Sequence, residues 1–213
     1  MKSYIHFIRH GITEGNQKNW YYGRLDIPLA QQGIETLKRL KEEGVYPDAT
    51  GADCYTTGLL RTEQTFKIIF GDIPHETIPM LKEMNFGAWE GMSFEEIKNS
   101  GIYREAFDEW CSMGLDDSVL FKYPEGESVK EFYERIEKGL DELRGKHRLR
   151  ELAHRHDGKD AVSIMVCHGG VISAIMLNLF PGQKENIWKW TPNPGHGYTV
   201  YFEDSEPVSY KQF

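Results

Sequence analysis

The chain has no long apolar run. None of its hydrophobic stretches approaches the ~18 residues of a membrane span, and no secretory-leader pattern opens it, so a cytoplasmic location is expected. Cysteine is scarce, three in 213 residues. Cys54, Cys111 and Cys167 fit neither a metal-binding spacing nor a disulfide framework, and read as reduced, buried thiols. Basic residues are outnumbered, 25 Lys and Arg against 33 Asp and Glu for a formal net charge of −8, which removes the basic stripe that a nucleic-acid surface requires. A small anionic ligand stays compatible, because the field inside a cleft, not the net charge, sets what binds there. Repeats and low-complexity tracts are absent too. The length suits one sizeable core with a small insertion and is too short for two ordinary domains.

What is present is a duplicated strand ending. A short apolar run, Tyr4-Ile5-His6-Phe7-Ile8, breaks into Arg9-His10-Gly11, and a second, Ala161-Val162-Ser163-Ile164-Met165-Val166-Cys167, breaks into His168-Gly169-Gly170. Both runs are rich in β-formers, so each is predicted to be a strand ending at a histidine. In open α/β sheets chemistry sits outside the carboxyl ends of the strands. If the two strands are parallel neighbours, His10 and His168 enter one crevice together with Arg9. Two imidazoles and a guanidinium there make an anion site.

Strand-like and helix-like segments alternate along the chain, the pattern of βαβ units with right-handed crossovers. After a Gly-, Asn- and Tyr-containing loop to about Leu29, residues Ile34, Leu37 and Leu40 fall at helical spacing up to Gly44, a C-terminal stop. Asp53-Cys54-Tyr55 reads as a strand, and Leu59 to Phe70 as a helix carrying Arg61 in its first turn, at the functional edge of the sheet. Residues 84–125, with Trp89, Tyr103, Trp110 and a capping box at Ser93-Phe94-Glu95-Glu96, are expected to form a helical insertion over the cleft. A second capping box, Ser128 with Glu131, starts an amphipathic helix marked by Val129, Phe132, Tyr133, Ile136, Leu140 and Leu143. Residues 144–160 read as a solvated helix end and loop. Gly169-Gly170 opens an apolar helix, Val171 to Leu179, with free N–H groups aimed at the same anion. The expected fold is a three-layer α/β/α sandwich with a mainly parallel central sheet and a small helical insertion over the active site, in a single domain 1–213.

The residues around the crevice carry a resemblance. Arg9-His10-Gly11-Ile12-Thr13-Glu14-Gly15-Asn16, followed by Tyr22-Gly23-Arg24-Leu25-Asp26-Ile27-Pro28-Leu29, is similar to the opening of the histidine phosphatase superfamily, the phosphoglycerate-mutase-like proteins. Tyr55-Thr56-Thr57-Gly58-Leu59-Leu60-Arg61-Thr62-Glu63-Gln64-Thr65 resembles the family's second arginine segment. Leu81-Lys82-Glu83-Met84-Asn85-Phe86-Gly87-Ala88-Trp89-Glu90-Gly91 resembles its catalytic-acid segment. Pro124-Glu125-Gly126-Glu127-Ser128 and Val166-Cys167-His168-Gly169-Gly170 complete the set in family order. The resemblance implies catalytic roles for Arg9, His10, Arg61, Glu83 and His168. It implies phosphate-pocket or rim positions for Asn16, Tyr22, Gly23, Arg24 and Gly169, with no metal and no cofactor.

These residue types suit phosphoryl transfer. Negative charge develops on the equatorial oxygens of the transferred group, so positioning and aimed cations supply most of the catalytic benefit. A guanidinium donates two parallel hydrogen bonds to a phosphate, which fits Arg9 and Arg61. His10 offers a neutral nitrogen nucleophile if its other ring nitrogen is pinned, giving a phosphohistidine. Glu83, raised in pKa by burial, can protonate the leaving alkoxide. His168 then stabilises the phosphoryl group as a donor.

Other residues read as structural. His6 is expected to be a satisfied partner of a backbone carbonyl, and Glu90, Glu95 and Glu96 to be surface carboxylates. His154-Arg155-His156 reads as solvated surface and not as a metal site, and Trp188 and Trp190 as core or interface packing. Against the family pattern, Ile12 stands where Glu or Gln is common and Gly15 where Trp is common. Gly170, a short 91–124 segment and a short C-terminal tail set the chain apart from cofactor-dependent mutases, which need a closing lid to keep water from the phosphohistidine. The phosphatase branch, with α-ribazole phosphatases and small broad-specificity relatives, is the resemblance favoured. A phosphoglycerate mutase and a non-catalytic phosphate-binding module are the alternatives. The expected partner is a small phosphorylated metabolite, and a homodimer is left open.

Overall fold

Ser3–Arg9 (β1) and Ala161–Cys167 (β6) are apolar on both faces, which is what a central strand covered from both sides requires. They pair in parallel from Ser3 opposite Ala161 to Arg9 opposite Cys167, so both strands run out at the same edge. The computed structural model describes residues 2–113, 120–184 and 187–213. Asp53–Thr56 (β3) flanks β6 in parallel, and Glu76–Thr77 (β4) adds a short parallel edge. On the other side Gly197–Glu203 (β7) and Glu206–Gln212 (β8) run antiparallel, giving the order β4-β3-β6-β1-β7-β8. This C-terminal hairpin is not expected from the sequence. Its two-residue turn, Asp204-Ser205, holds both residues at positive φ, 50° and 66°, the geometry whose twist matches the paired strands.

The helices cover both faces. Gln31–Glu42 (α2) stops before Gly44, at φ 71°, and packs with Leu60–Phe70 (α3) on one face against Ile8, Ile164 and Val166. Val129–His154 (α6) and Gly169–Leu179 (α7) cover the other, against Ile5, Phe7, Met165 and Val200. Period-2 alternation along each strand sorts these side chains into the two layers. The expected three-layer α/β architecture with a mostly parallel sheet is therefore observed.

Both capping boxes form, Ser128 with Glu131 and Ser93 with Glu96. Of the helix end and loop expected over 144–160, the helix takes the larger part, because α6 continues through Gly145 to His154. Its last turns are anchored by buried His147 and Glu151, whose polar groups meet serine hydroxyls at the start of β1 and β6. Cys54 and Cys167 are buried, but Cys111 is exposed. It lies on the outer face of a short helix, Arg104–Ser112 (α5). His6 is buried against the Thr199 hydroxyl and not a carbonyl. Trp190 is core, whereas Trp188 is 69% exposed.

Residues 84–113 and 120–125 build a separate aromatic cluster, Trp89, Ile97, Phe107, Phe121 and Tyr123; 114–119 of the expected insertion lie outside the described residues. The cluster is not made by that segment alone. Trp20–Tyr21 (β2) pairs antiparallel with Met92–Ser93 (β5), and Tyr21 packs edge-on to Phe86, Trp89 and Trp110. Phe94–Lys98 (α4) and α5 complete the unit.

Candidate active site

The strand register sets the centre of the site. His10 follows β1 and donates its backbone N–H to the Cys167 carbonyl at 3.0 Å, so His10 and His168 leave the sheet side by side. Their ring centroids are 5.3 Å apart, and both residues are buried. Gly11 allows the turn that follows to lie against the core: a Cβ there would sit 2.7 Å from Leu37 Cδ1. Leu37 is fully buried, and truncating it to Ala would cost about 2–5 kcal/mol while loosening the floor beneath His10.

His10 is oriented by its own neighbour. Nδ1–H donates to the Gly11 carbonyl at 2.7 Å, which leaves the Nε2 lone pair as the nucleophilic position. Among the described residues Nε2 has no hydrogen-bond partner. Burial, then the Arg61 and Arg9 guanidiniums, hold this imidazole well below its ordinary pKa. It is therefore neutral at pH 7.

Arg61 reaches the site from the first turn of α3. That helix has no capping side chain of its own at Leu59. Asp26 serves instead, accepting the Leu60 N–H at 2.7 Å. The buried guanidinium donates from Nε to His168 Nδ1 (3.3 Å), from Nη1 to the Leu25 carbonyl (3.0 Å) and from Nη2 to the Gly23 carbonyl (2.7 Å). A guanidinium has five N–H donors; one remains on each Nη.

These contacts also decide the His168 tautomer. Arg61 can only donate, so neutral His168 accepts at Nδ1 and carries its proton on Nε2. Nε2–H then donates to Thr57 Oγ1 at 3.0 Å, Thr57 to Thr62 Oγ1 at 3.2 Å, and Thr62 to the Leu59 carbonyl at 2.7 Å. The chain of hydroxyls runs one way, from a donor to a backbone acceptor. Sequence reasoning does not single out Thr57 and Thr62, although both sit inside the second arginine segment. Burial and the same cations keep His168 well below its ordinary pKa.

Arg9 ends β1 and donates from Nη1 to the Pro192 carbonyl at 2.8 Å. Its Nε is buried without a partner among the described residues, an orphaned donor of the kind an anionic oxygen satisfies. A Cβ on Gly169 would stand 3.1 Å from that Nε, so the glycine gives the arginine its room. Glu83 accepts the Gly170 N–H at Oε2 (3.0 Å) and the Met84 N–H at Oε1 (3.1 Å). Burial raises its pKa, outweighing those two hydrogen bonds and the Arg61 and Arg9 charges that lower it. The Gly170 N–H thus serves the carboxyl and is not free for an anion.

The outer set divides. Tyr22 is buried, accepts a hydrogen bond from Thr13 Oγ1 at 2.7 Å, and its ring lies 5.1 Å from the Arg61 guanidinium. Gly23 contributes its backbone: a Cβ would fall 1.6 Å from the Met84 carbonyl oxygen. Asn16 spends its side-chain oxygen on the Thr13 N–H at 3.0 Å, closing the capping box of Glu14–Gln17 (α1). Arg24 is exposed and pairs with Glu127 at 3.7 Å, outside the hydrogen-bonded group around His10. Glu90 is no surface carboxylate: it accepts the backbone N–H groups of Gly23, Arg24, Leu25 and Phe86. Among the described residues no three His, Cys, Asp or Glu side chains converge as metal ligands, and the positive charge at the centre is guanidinium. A groove of about 1030 Å³ lies across residues 47–55, 69–76 and 146–154, away from His10.

The chain is similar to known proteins in sequence and in fold. A family model, the histidine phosphatase superfamily (branch 1), matches residues 5–211. The chain is 28% identical over 192 residues to the adenosylcobalamin/α-ribazole phosphatase of Escherichia coli (strain K12), covering 88% of this chain and 84% of that protein. The solved α-ribazole phosphatase of Shigella flexneri superposes with a TM-score of 0.72 at 24% identity, over 98% of this chain and 94% of the other. A phosphoglycerate mutase from Thermus thermophilus superposes with a TM-score of 0.61 at 26% identity, over 99% and 98% of the two chains. No helix among the described residues is long and apolar enough to cross a membrane.

Proposed function

Because the chain belongs to branch 1 of the histidine phosphatase superfamily, we propose that it is a metal-independent phosphomonoester hydrolase acting on a small phosphorylated metabolite in the cytoplasm, through a phosphohistidine. The observation that carries this reading is His10: a neutral imidazole, pinned at Nδ1, with Nε2 unpaired among the described residues and two guanidiniums beside it.

Nε2 attacks phosphorus in line, forming the N–P bond as the bond to the substrate oxygen breaks. Glu83, whose pKa burial raises, is the acid placed to donate a proton to the departing alkoxide. Arg9 and the two remaining N–H groups of Arg61 hold the equatorial oxygens as charge develops. His168, expected from the sequence to be a donor to the phosphoryl group, instead orients Arg61 by accepting from its Nε, while its own N–H goes to Thr57. In the second half water attacks the phosphohistidine, Glu83 takes its proton, and the N–P bond breaks to release inorganic phosphate and neutral His10. The likeness to the α-ribazole phosphatases makes a nucleoside-like phosphate ester the first natural substrate to try.

The test is phosphate release from p-nitrophenyl phosphate in EDTA between pH 5 and 8. Turnover by the intact protein that disappears in His10→Ala is the expected result. Interconversion of phosphoglycerate isomers with a bisphosphate primer, without net phosphate release, would instead select a mutase. Phosphate binding without either reaction would select a non-catalytic module.

A further inference from the structure

The phosphate-facing arginine has no carboxylate touching it among the described residues. Arg61 is fully buried, and a buried cation needs compensation, yet its three engaged N–H groups go to His168 and to two backbone carbonyls. Those carbonyls belong to Gly23 and Leu25. The N–H groups of the same two residues, with that of Arg24, point the other way, onto Glu90. Oε1 accepts from Gly23 (2.9 Å) and Arg24 (3.0 Å), and Oε2 from Gly23 (2.8 Å) and Leu25 (2.9 Å). The backbone of residues 23–25 is thus stretched between an anion and a cation, its donors on the carboxylate and its acceptors on the guanidinium.

We infer that Glu90 is a positioning residue for the phosphate site, an indirect counter-ion that acts on Arg61 through this backbone. The arrangement has a chemical purpose. A carboxylate paired directly with Arg61 would occupy the N–H groups an incoming phosphate needs and would repel it. Set behind a layer of peptide, Glu90 orients the fork while leaving one N–H on each Nη open. It also accepts the Phe86 N–H at 3.0 Å, three residues after Glu83, so the same carboxylate ties the loop that holds Arg61 to the segment that carries the acid. Gly23 is the joint: with the Met84 carbonyl oxygen where a Cβ would be, only glycine lets the two segments meet.

The inference rests on the phosphatase reading, so its test uses a binding probe as well as turnover. Glu90→Gln keeps the size but offers one acceptor oxygen where four N–H groups converge on two. With p-nitrophenyl phosphate as substrate and inorganic phosphate as competitive inhibitor, KM and the phosphate inhibition constant are both expected to rise about tenfold, with a smaller fall in kcat. Glu90→Asp, which keeps the charge one methylene back, is expected to recover part of the loss, and it carries the same readouts if the Gln variant does not fold. In an Arg61→Ala background, adding Glu90→Gln should weaken phosphate binding no further. A purely structural role would lower Tm and the active fraction and leave both constants within twofold; that result, or additivity with Arg61→Ala, overturns the inference. An intact protein that neither hydrolyses the ester nor binds phosphate overturns the phosphatase reading itself.

Discussion

Both ends of the β1–β6 pair bury a histidine, and the two are treated in opposite ways. At the carboxyl end His10 is bonded at one ring nitrogen only and stands among guanidiniums. At the amino end His147, from α6, is bonded at both: Nε2 meets Ser3 Oγ and Nδ1 meets Ser163 Oγ, each at 2.8 Å. Ser3 gives its hydroxyl proton to Glu151, so it accepts from Nε2–H, and Nδ1 accepts from Ser163. Burial lowers both imidazoles, His147 to about 4. Low pKa therefore does not distinguish them. What separates a reactive histidine from a structural one is the unfilled lone pair and the cations around it.

The largest contrast should appear on truncation. His10→Ala is expected to lower kcat/KM by at least about a thousandfold with Tm nearly unchanged. His147→Ala leaves the Ser3 and Ser163 hydroxyls without their ring partner and opens a void, costing about 2–4 kcal/mol, with kcat/KM of the folded protein within twofold. Loss of turnover in His147→Ala at full stability would show that the two ends are coupled. Next in size, Glu83→Gln removes the proton donor and should cost roughly a hundredfold or more in kcat, together with one limb of the pH–rate profile. Retention of both limbs would move the acid role elsewhere.

Stability against pH should sharpen the same contrast. His147 sits at about 4 when folded against an ordinary 6.5, so the unfolded chain binds a proton that the folded one refuses. Its contribution is complete above pH 6.5 and is lost as pH falls toward 4, by up to roughly 3 kcal/mol. His6, also at about 4, acts in the same direction, as do His10 and His168. Urea unfolding from pH 7 to pH 5 should therefore show falling stability, with a shallower slope in His147→Gln. Inorganic phosphate favours protonated imidazoles only at the carboxyl end, so it should flatten the slope in both proteins. Equal slopes with and without His147 would mean that Glu151 compensates the imidazolium.

The carboxyl end is far more legible in the sequence than the amino end, for a physical reason. The residues proposed to meet the phosphate sit at strand and helix ends, so Arg9-His10-Gly11, Arg61 at a helix start and His168-Gly169-Gly170 leave short local patterns. The amino-end network joins Ser3, His147, Glu151 and Ser163 from three elements, and no spacing announces it; Gly145 instead suggests that the helix is ending where it continues. Glu90 escapes the sequence because a carboxylate that serves backbone N–H groups looks like any surface Glu. The β7–β8 hairpin escapes it because the parallel βαβ pattern dominates the expectation, although Gly197–Glu203 is rich in β-formers and its turn is tight. Tyr22 and Gly23 lie beside Arg61, the ring 5.1 Å from the guanidinium and the carbonyl accepting from Nη2. Arg24 gives only its backbone N–H to the Glu90 joint and turns its side chain to Glu127.

The smallest expected effect tests how finely Glu83 is held. A Cβ at Gly170 would stand 2.6 Å from Glu83 Oε1, and since that oxygen ends a flexible side chain, the carboxyl can swing aside instead of unfolding the helix. Swinging breaks the 3.0 Å bond from the Gly170 N–H to Oε2, one of the interactions that hold the Glu83 pKa down against burial. Gly170→Ala should therefore raise the pKa of the acid further, moving its limb of the pH–rate profile to higher pH, and lower kcat by roughly threefold to tenfold, the range of one hydrogen bond. Tm should change little, because alanine is a better helix residue than glycine. A fall in kcat without movement of the limb would mean that the methyl group obstructs the phosphate and leaves the acid in place.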